Sequence, residues 1–224
     1  MSSSYLNIPT CISCNKEIQD QLYGSDFLPN LFTIIVGFII LVLIVLAFTY
    51  FSAKKHKRHL GINPGKEFNP VPLSTAGVVM GIGLGGFFDG ILFHQVLQLH
   101  AMVSNRLATD TVVGKAVNMF WDGIFHIVTL TAVIIGFILL VRLLKIKNIN
   151  PAPNLALGGA LAGWGIFNFV EGIIHHHIIG LHNVNEFAMN QDIWNYGFLA
   201  SGIILMGIGY AFIYNRDHYP TRLN

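Results

Sequence analysis

The segment Glu171-Gly172-Ile173-Ile174-His175-His176-His177-Ile178-Ile179-Gly180-Leu181-His182 sets one carboxylate and four imidazoles in a run that otherwise reads as a membrane-spanning helix. An ionisable side chain in hydrocarbon costs roughly 2.5–3.5 kcal/mol on insertion scales, so a cluster of them demands a compensating partner. The pattern occurs once before, at Asp89-Gly90-Ile91-Leu92-Phe93-His94 and on to His100. In both copies the acid is followed by Gly at +1, Ile at +2, His at +5, Leu at +10 and His at +11. A shorter version, Asp122-Gly123-Ile124-Phe125-His126, lies between them. Three acid-Gly-Ile cassettes in three apolar segments point to one polar site shared by three helices.

The rest of the chain is the setting for such a site. Apolar residues make up 53% of the 224 and charged residues 11%, with a mean hydropathy of +0.59. Soluble domains carry about 25% charged residues, so the composition is that of an integral membrane protein. A net charge of +2 gives no footprint for a nucleic-acid partner. No cleavable signal is evident, because the N-terminus lacks a basic flank and a long polar stretch precedes the first apolar run.

Hydropathy divides the chain into an N-terminal segment (1–30), a first span (31–52), a linker (53–72), a four-helix core (73–214) and a tail (215–224). Within the core the expected spans are 73 through the first cassette, 115–144, 155–182 and 196–214. Each is long enough for a hydrocarbon core of about 30 Å. Lys54, Lys55, Lys57, Arg58, Lys66, Arg142, Lys145, Lys147, Arg216 and Arg222 fall on one side of this topology, and only Lys16, Arg106 and Lys115 on the other. The positive-inside rule then puts the N-terminus outside and the C-terminus in the cytoplasm, in a multi-pass inner-membrane protein. The matching cassettes imply a parallel repeat of spans two and three on spans four and five, the fifth having lost its cassette.

All three cassettes come to the outer half of the bilayer on this topology. Asp122 and His126, and likewise Glu171 and His175, are at i, i+4 and share a helix face. Eleven residues are close to three turns, so Asp89 with His100, and Glu171 with His182, are expected on common faces. His94 falls off the Asp89 face by more than about a third of a turn on a regular helix. Gly90 and Gly172 are candidates for a local distortion that re-aims the histidines. His177 points away from His175 and is expected to pack outside the site. Asn118 and Asn168, four and three residues before an acid, are candidate donors that orient it. His56, His59 and His218 are expected to be solvated.

Carboxylate with imidazole is the ligand set of iron, copper, zinc or manganese, with iron or copper favoured here. The candidate ligands are Asp89, His94, His100, Asp122, His126, Glu171, His175, His176 and His182. Transmembrane histidines on facing helices are alternatively haem b ligands. Cys11 and Cys14 form a single C-x-x-C, readable as a structural disulfide, a metal-capture pair or a redox pair.

The stretch Gly83-Leu84-Gly85-Gly86-Phe87-Phe88-Asp89-Gly90-Ile91-Leu92-Phe93-His94-Gln95, with Asp122-Gly123-Ile124-Phe125-His126 and Gly163-Trp164-Gly165-Ile166-Phe167-Asn168 on to His182, resembles a bacterial polytopic membrane family known only as a domain of unknown function. The resemblance covers roughly residues 72–214. Members tend to be encoded near a copper-delivery assembly factor for cytochrome oxidase, which implies a respiratory-complex or oxidase-assembly partner. It supplies no activity.

The expectation is therefore an all-α membrane metalloprotein with redox or metal-handling work at the outer face, linked to respiration. Three other classes stand beside it: a metal-delivery factor or transporter for an oxidase, a haem-binding electron-transfer subunit, and a structural subunit. Whether the chain is an enzyme, and its oligomeric state, are left open by the sequence.

Overall fold

The computed structural model describes residues 11–59, 61, 69–146 and 151–214. Among them every regular element is a helix, with no strand. A 3-10 turn, Ile12–Cys14, leads into the short helix α1 (Lys16–Leu22). Asn15 caps α1, its side chain accepting from the amides of Glu17 and Ile18. Ile18 and Leu22, one turn apart, are the buried face. This helix was not expected; its apolar stripe is only two residues long and carries no visible period.

Five longer helical segments are apolar and long enough to cross a membrane: Phe27–Arg58, Leu73–Val96, Val112–Leu143, Pro153–Ile178 and Gln191–Tyr214. The first, α2 (Phe27–His59), runs straight through the basic stretch expected to open a linker at 53. His56 is likewise not solvated. It is 3% exposed, with Nδ1 at 2.9 Å from the Ser52 carbonyl, and Ser52 in turn meets Ser74 at 2.8 Å. Lys66, Lys147, Arg216, Arg222 and His218 lie outside the described residues, as does the side chain of His59.

The centre of the bundle is the pair α3 (Leu73–Phe88) and α5 (Pro153–Glu171). Their spans are 56% buried, against about a fifth for each of the others. Glycines set this pairing. A methyl added at Gly77 or Gly81 would strike the carbonyls of Ala156 and Ala160, and one at Gly159 or Gly163 those of Ser74 and Val78. Contacts at 77–156 and 81–160 advance in the same sense, so α3 and α5 run parallel, backbone against backbone. α4 (Val112–Leu143) packs antiparallel on α3, with Gly136 against Met80 and Gly83 against Thr129 and Val133. α6 (Gln191–Tyr214) packs antiparallel on α5, where Gly165 meets Gly202 and Gly158 meets Gly209.

Both central helices widen before they end. Asp89–Val96 continues α3, and Gly172–Ile178 continues α5, as π-helix. The i→i+5 ladder puts an extra residue in each turn, and such segments gather at functional sites. The two exits match atom for atom: Leu97 N–H donates to Leu92 O and Leu99 N–H to Phe93 O, while Ile179 N–H donates to Ile174 O and Leu181 N–H to His175 O. Gln98 (φ 51°) and Gly180 (φ 62°) then turn the chain left-handed at equivalent places. Glycine adopts this conformation freely; glutamine does so at a cost.

Candidate metal centre

The π turns explain the +5 spacing of the cassettes. On a regular helix His94 would miss Asp89; on the wider turn its Nε2 comes to 3.2 Å from Asp89 Oδ2. His94 Nδ1 lies 2.7 Å from Asp122 Oδ1. His176, at +5 from Glu171, is drawn under the same end of the bundle and is buried. The distortion begins at Asp89 itself in α3 and at Gly172, directly after Glu171, in α5.

The +11 histidines reach the site by a different route from the one their spacing suggested. Neither is helical: the helices end at Val96 and Ile178, and the chain bends back. His100 Nε2 comes to 4.0 Å from Asp89 Oδ2, and His182 Nε2 to 3.6 Å from Glu171 Oε1. Each is held by the other loop. His100 Nδ1–H donates to the Val184 carbonyl at 2.9 Å, and His182 Nδ1–H to the Met102 carbonyl at 3.0 Å. A neutral imidazole that donates through Nδ1 presents a lone pair at Nε2, the fixed tautomer found in metal-ligating histidines. Burial, reinforced by the neighbouring His94, His182 and His176, holds the His100 pKa well below the usual histidine range.

Four histidines thus converge. The rings of His100 and His182 stack at 4.7 Å, with His94 at 4.2 Å from His100 and His176 at 4.8 Å from His182. Ligand atoms of His94, His100 and His182 lie within 4.8 Å of one another, and so do those of Glu171, His176 and His182. Three donors about 2.1 Å from one tetrahedral ion lie about 3.4 Å apart, so either set has to close by no more than about 1.4 Å. His100 Nε2, His182 Nε2, both nitrogens of His176 and both oxygens of Glu171 are buried without a hydrogen-bond partner.

The remaining expected residues sit around this centre in other roles. Asp122 does not face it as a donor: its Oδ1 accepts from His94 Nδ1 and, at 3.0 Å, from the Met102 amide. It is the carboxylate behind a histidine. His126 stands apart, with Nδ1 at 2.6 Å from its own helix carbonyl at Asp122 and its ring against Gly90. The i, i+4 face it shares with Asp122 is therefore not the face of the site. His175 Nδ1 is 3.6 Å from Glu171 Oε1, and its far edge rests on Gly37 of α2. His177 points outward onto Tyr196, as its helical position required.

Asn118 and Asn168 orient neither acid. Asn118 pins the returning loop, accepting from the Val103 amide at 2.9 Å and donating to Leu107 O and Gly114 O. Asn168 donates to Ser201 Oγ at 3.0 Å. Asn195, which no motif marked, accepts from the Val184 amide at 2.9 Å as Asp122 accepts from Met102. Cys11 and Cys14 are joined in a disulfide, which leaves no thiolate pair for capture in this state.

A cavity of about 420 Å³ reaches His94, His100 and Asp122 from the loop side, past Asp110, Lys115 and Glu186. Glu186 bonds the Ser104 hydroxyl, and burial pushes its carboxyl above the usual range. Arg106 of the same loop region binds Asn30 of α2.

Comparison with curated proteins and with solved structures returns no match. The family model described as a predicted membrane protein (DUF2243) matches residues 76–216, which take in all three cassettes and both returning loops. The chain is therefore a member of the DUF2243 family of membrane proteins.

Proposed function

We propose that this protein is an integral-membrane metalloprotein that holds one transition-metal ion in the outer half of the bilayer. His94, His100 and His182 are the nitrogen donors, with Glu171 and His176 as the second set around the shared His182. The observation that carries this reading is the group of buried, unpartnered donor atoms on His100, His176, His182 and Glu171. Each such atom costs about 1–3 kcal/mol, and a cation offsets several at once. His182 Nδ1 is committed to Met102, so its Nε2 serves one ion at a time and the two donor sets compete for it. That argues for one ion rather than two.

Imidazole nitrogen suits iron, copper and zinc, and two histidines with one carboxylate is the open set of non-haem iron sites. Iron or copper fits best, ahead of zinc and manganese. The role is redox or metal handling at the outer face of an inner membrane, with the N-terminus outside and the C-terminus inside. The respiratory link, with an oxidase or its assembly machinery as partner, rests on the family resemblance alone. Matching contacts at residues 82 positions apart (89 and 171, 100 and 182) support a duplicated two-helix unit. A second reading, metal delivery, draws support from the polar cavity that leads from Asp110 and Glu186 down to His100. Haem b is less well served, because His100 and His182 stack directly at 4.7 Å with no slot for a macrocycle between them.

The test is metal analysis and absorption of the protein purified in lipid. The expected result is close to one equivalent of metal without a Soret band. Returning the ion at about 100 Kd to chelated protein should raise the melting temperature by about 5–10 °C. A folded sample that holds no iron, copper, zinc or manganese, and whose melting is unmoved by any of them, refutes the reading and leaves a packing network.

A further inference from the structure

A second cavity, of about 580 Å³ and lined by Asp89, lies between the ends of α3, α5 and α6. Its walls are rings, from Phe88, Phe93, Trp164 and Trp194. Phe88 and Trp194 are 44% and 45% exposed, so the cavity opens at the outer surface of the bundle rather than inside it. Asp89, Asn168 and Ser201 supply its polar groups.

The hydrogen bonding fixes what those polar groups offer. Ser201 donates its hydroxyl to the Phe198 carbonyl at 2.6 Å, so toward Asn168 it can only accept. Asn168 must turn its N–H to Ser201 at 3.0 Å, which leaves Asn168 Oδ1 as an acceptor. That atom is buried and without a partner, and so is Asp89 Oδ1. Asn168 is 6% exposed and Asp89 2%. The position 82 residues before Asn168 is Gly86, where a side chain would collide with Thr129 and Phe167. The amide is thus confined to one half of the bundle and is not needed by the packing common to both.

We propose that this cavity binds a membrane-borne hydroxylated aromatic, of the hydroquinone class, whose hydroxyls donate to Asn168 Oδ1 and Asp89 Oδ1 while its ring lies among the tryptophan and phenylalanine rings. Apolar pockets with a few convergent polar groups are the usual form of small-molecule sites. Two buried, unpartnered acceptors favour a ligand that brings protons to them. Bound there, the head group is separated from His94 only by the Asp89 carboxylate. The assignment does not rest on a metal being present.

Two of the three tryptophans line the cavity, so intrinsic fluorescence reads occupancy. Protein in lipid nanodiscs, chelated and under argon, is titrated with decylhydroquinone and separately with its dimethyl ether, which has the same ring and tail but no donor. The expected result is saturable quenching by the hydroquinone, about tenfold tighter than by the ether. Asn168→Leu should abolish that preference, and His182→Ala should leave it intact even as metal binding is lost. Equal affinity for hydroquinone and ether in the native protein, or no saturable quenching, overturns the proposal. Because that comparison needs no variant, it decides the matter even if Asn168→Leu does not assemble.

Discussion

His182→Ala is the sharpest test of how the centre is built. The side chain is fully buried, at 0% exposure, and its Nε2 is the one atom common to both donor sets. Losing a partner behind a metal-bound histidine typically costs 10–100-fold in affinity. Removing a donor shared by both sets should cost at least about 100-fold, or about 2.7 kcal/mol. His94→Ala and His176→Ala each leave one complete set, so each should fall by less than His182→Ala does. The fold pays separately: the Met102 carbonyl loses its donor, worth about 1–3 kcal/mol in a buried place. Chelator competition on the purified variants, followed by metal analysis of the protein fraction, reads the affinities, and monodisperse elution controls for folding. If folded His182→Ala binds metal as the native chain does, or if all three variants weaken equally, the shared-donor geometry is wrong.

Asp122→Asn keeps an oxygen for the Met102 amide but removes the charge behind His94 Nδ1. It should fold normally and lose 10–100-fold in metal affinity by the same competition assay. Gly163→Ala drives a methyl into the Val78 carbonyl where α3 and α5 touch, and should lower stability by about 1–3 kcal/mol in a denaturant titration. Burial raises the Glu186 pKa in the folded state, so the folded chain binds more protons than the unfolded one, and stability falls as pH rises from the unfolded carboxyl value toward the folded one. Glu186→Gln should therefore flatten the fall of the melting temperature as pH rises above about 4.3. Cys11 and Cys14 are exposed and joined; in intact cells an impermeant maleimide should label them only after reduction, and labelling that requires lysis would place the N-terminus inside.

Much of this was legible in the residues. Hydropathy alone found five spans, and the acid, +5 and +11 pattern marked the histidines that converge. What misled was the assumption of a regular helix. Eleven residues are three α-turns, so His100 and His182 were expected on the faces of Asp89 and Glu171. They arrive there because a π turn and a left-handed residue send the chain back, and no propensity scale reports that combination. Asp122 was legible as part of the site but not as the residue behind His94, since ligand and supporting carboxylate are the same chemistry in sequence. Asn195 was invisible, because its role depends on Val184, brought close only by the return of the preceding loop. His56 was misjudged because a basic neighbourhood hides the two serines that bury it.

The bonds from His100 to Val184 and from His182 to Met102 cross between segments far apart in the chain. Neither imidazole can be locked in its tautomer until the other half of the molecule has been threaded into the bilayer and has docked along the glycine seam. A nascent chain with only its first half inserted therefore lacks the carbonyl that fixes His100. Assembly of the proposed centre is thereby tied to the last helices entering the membrane.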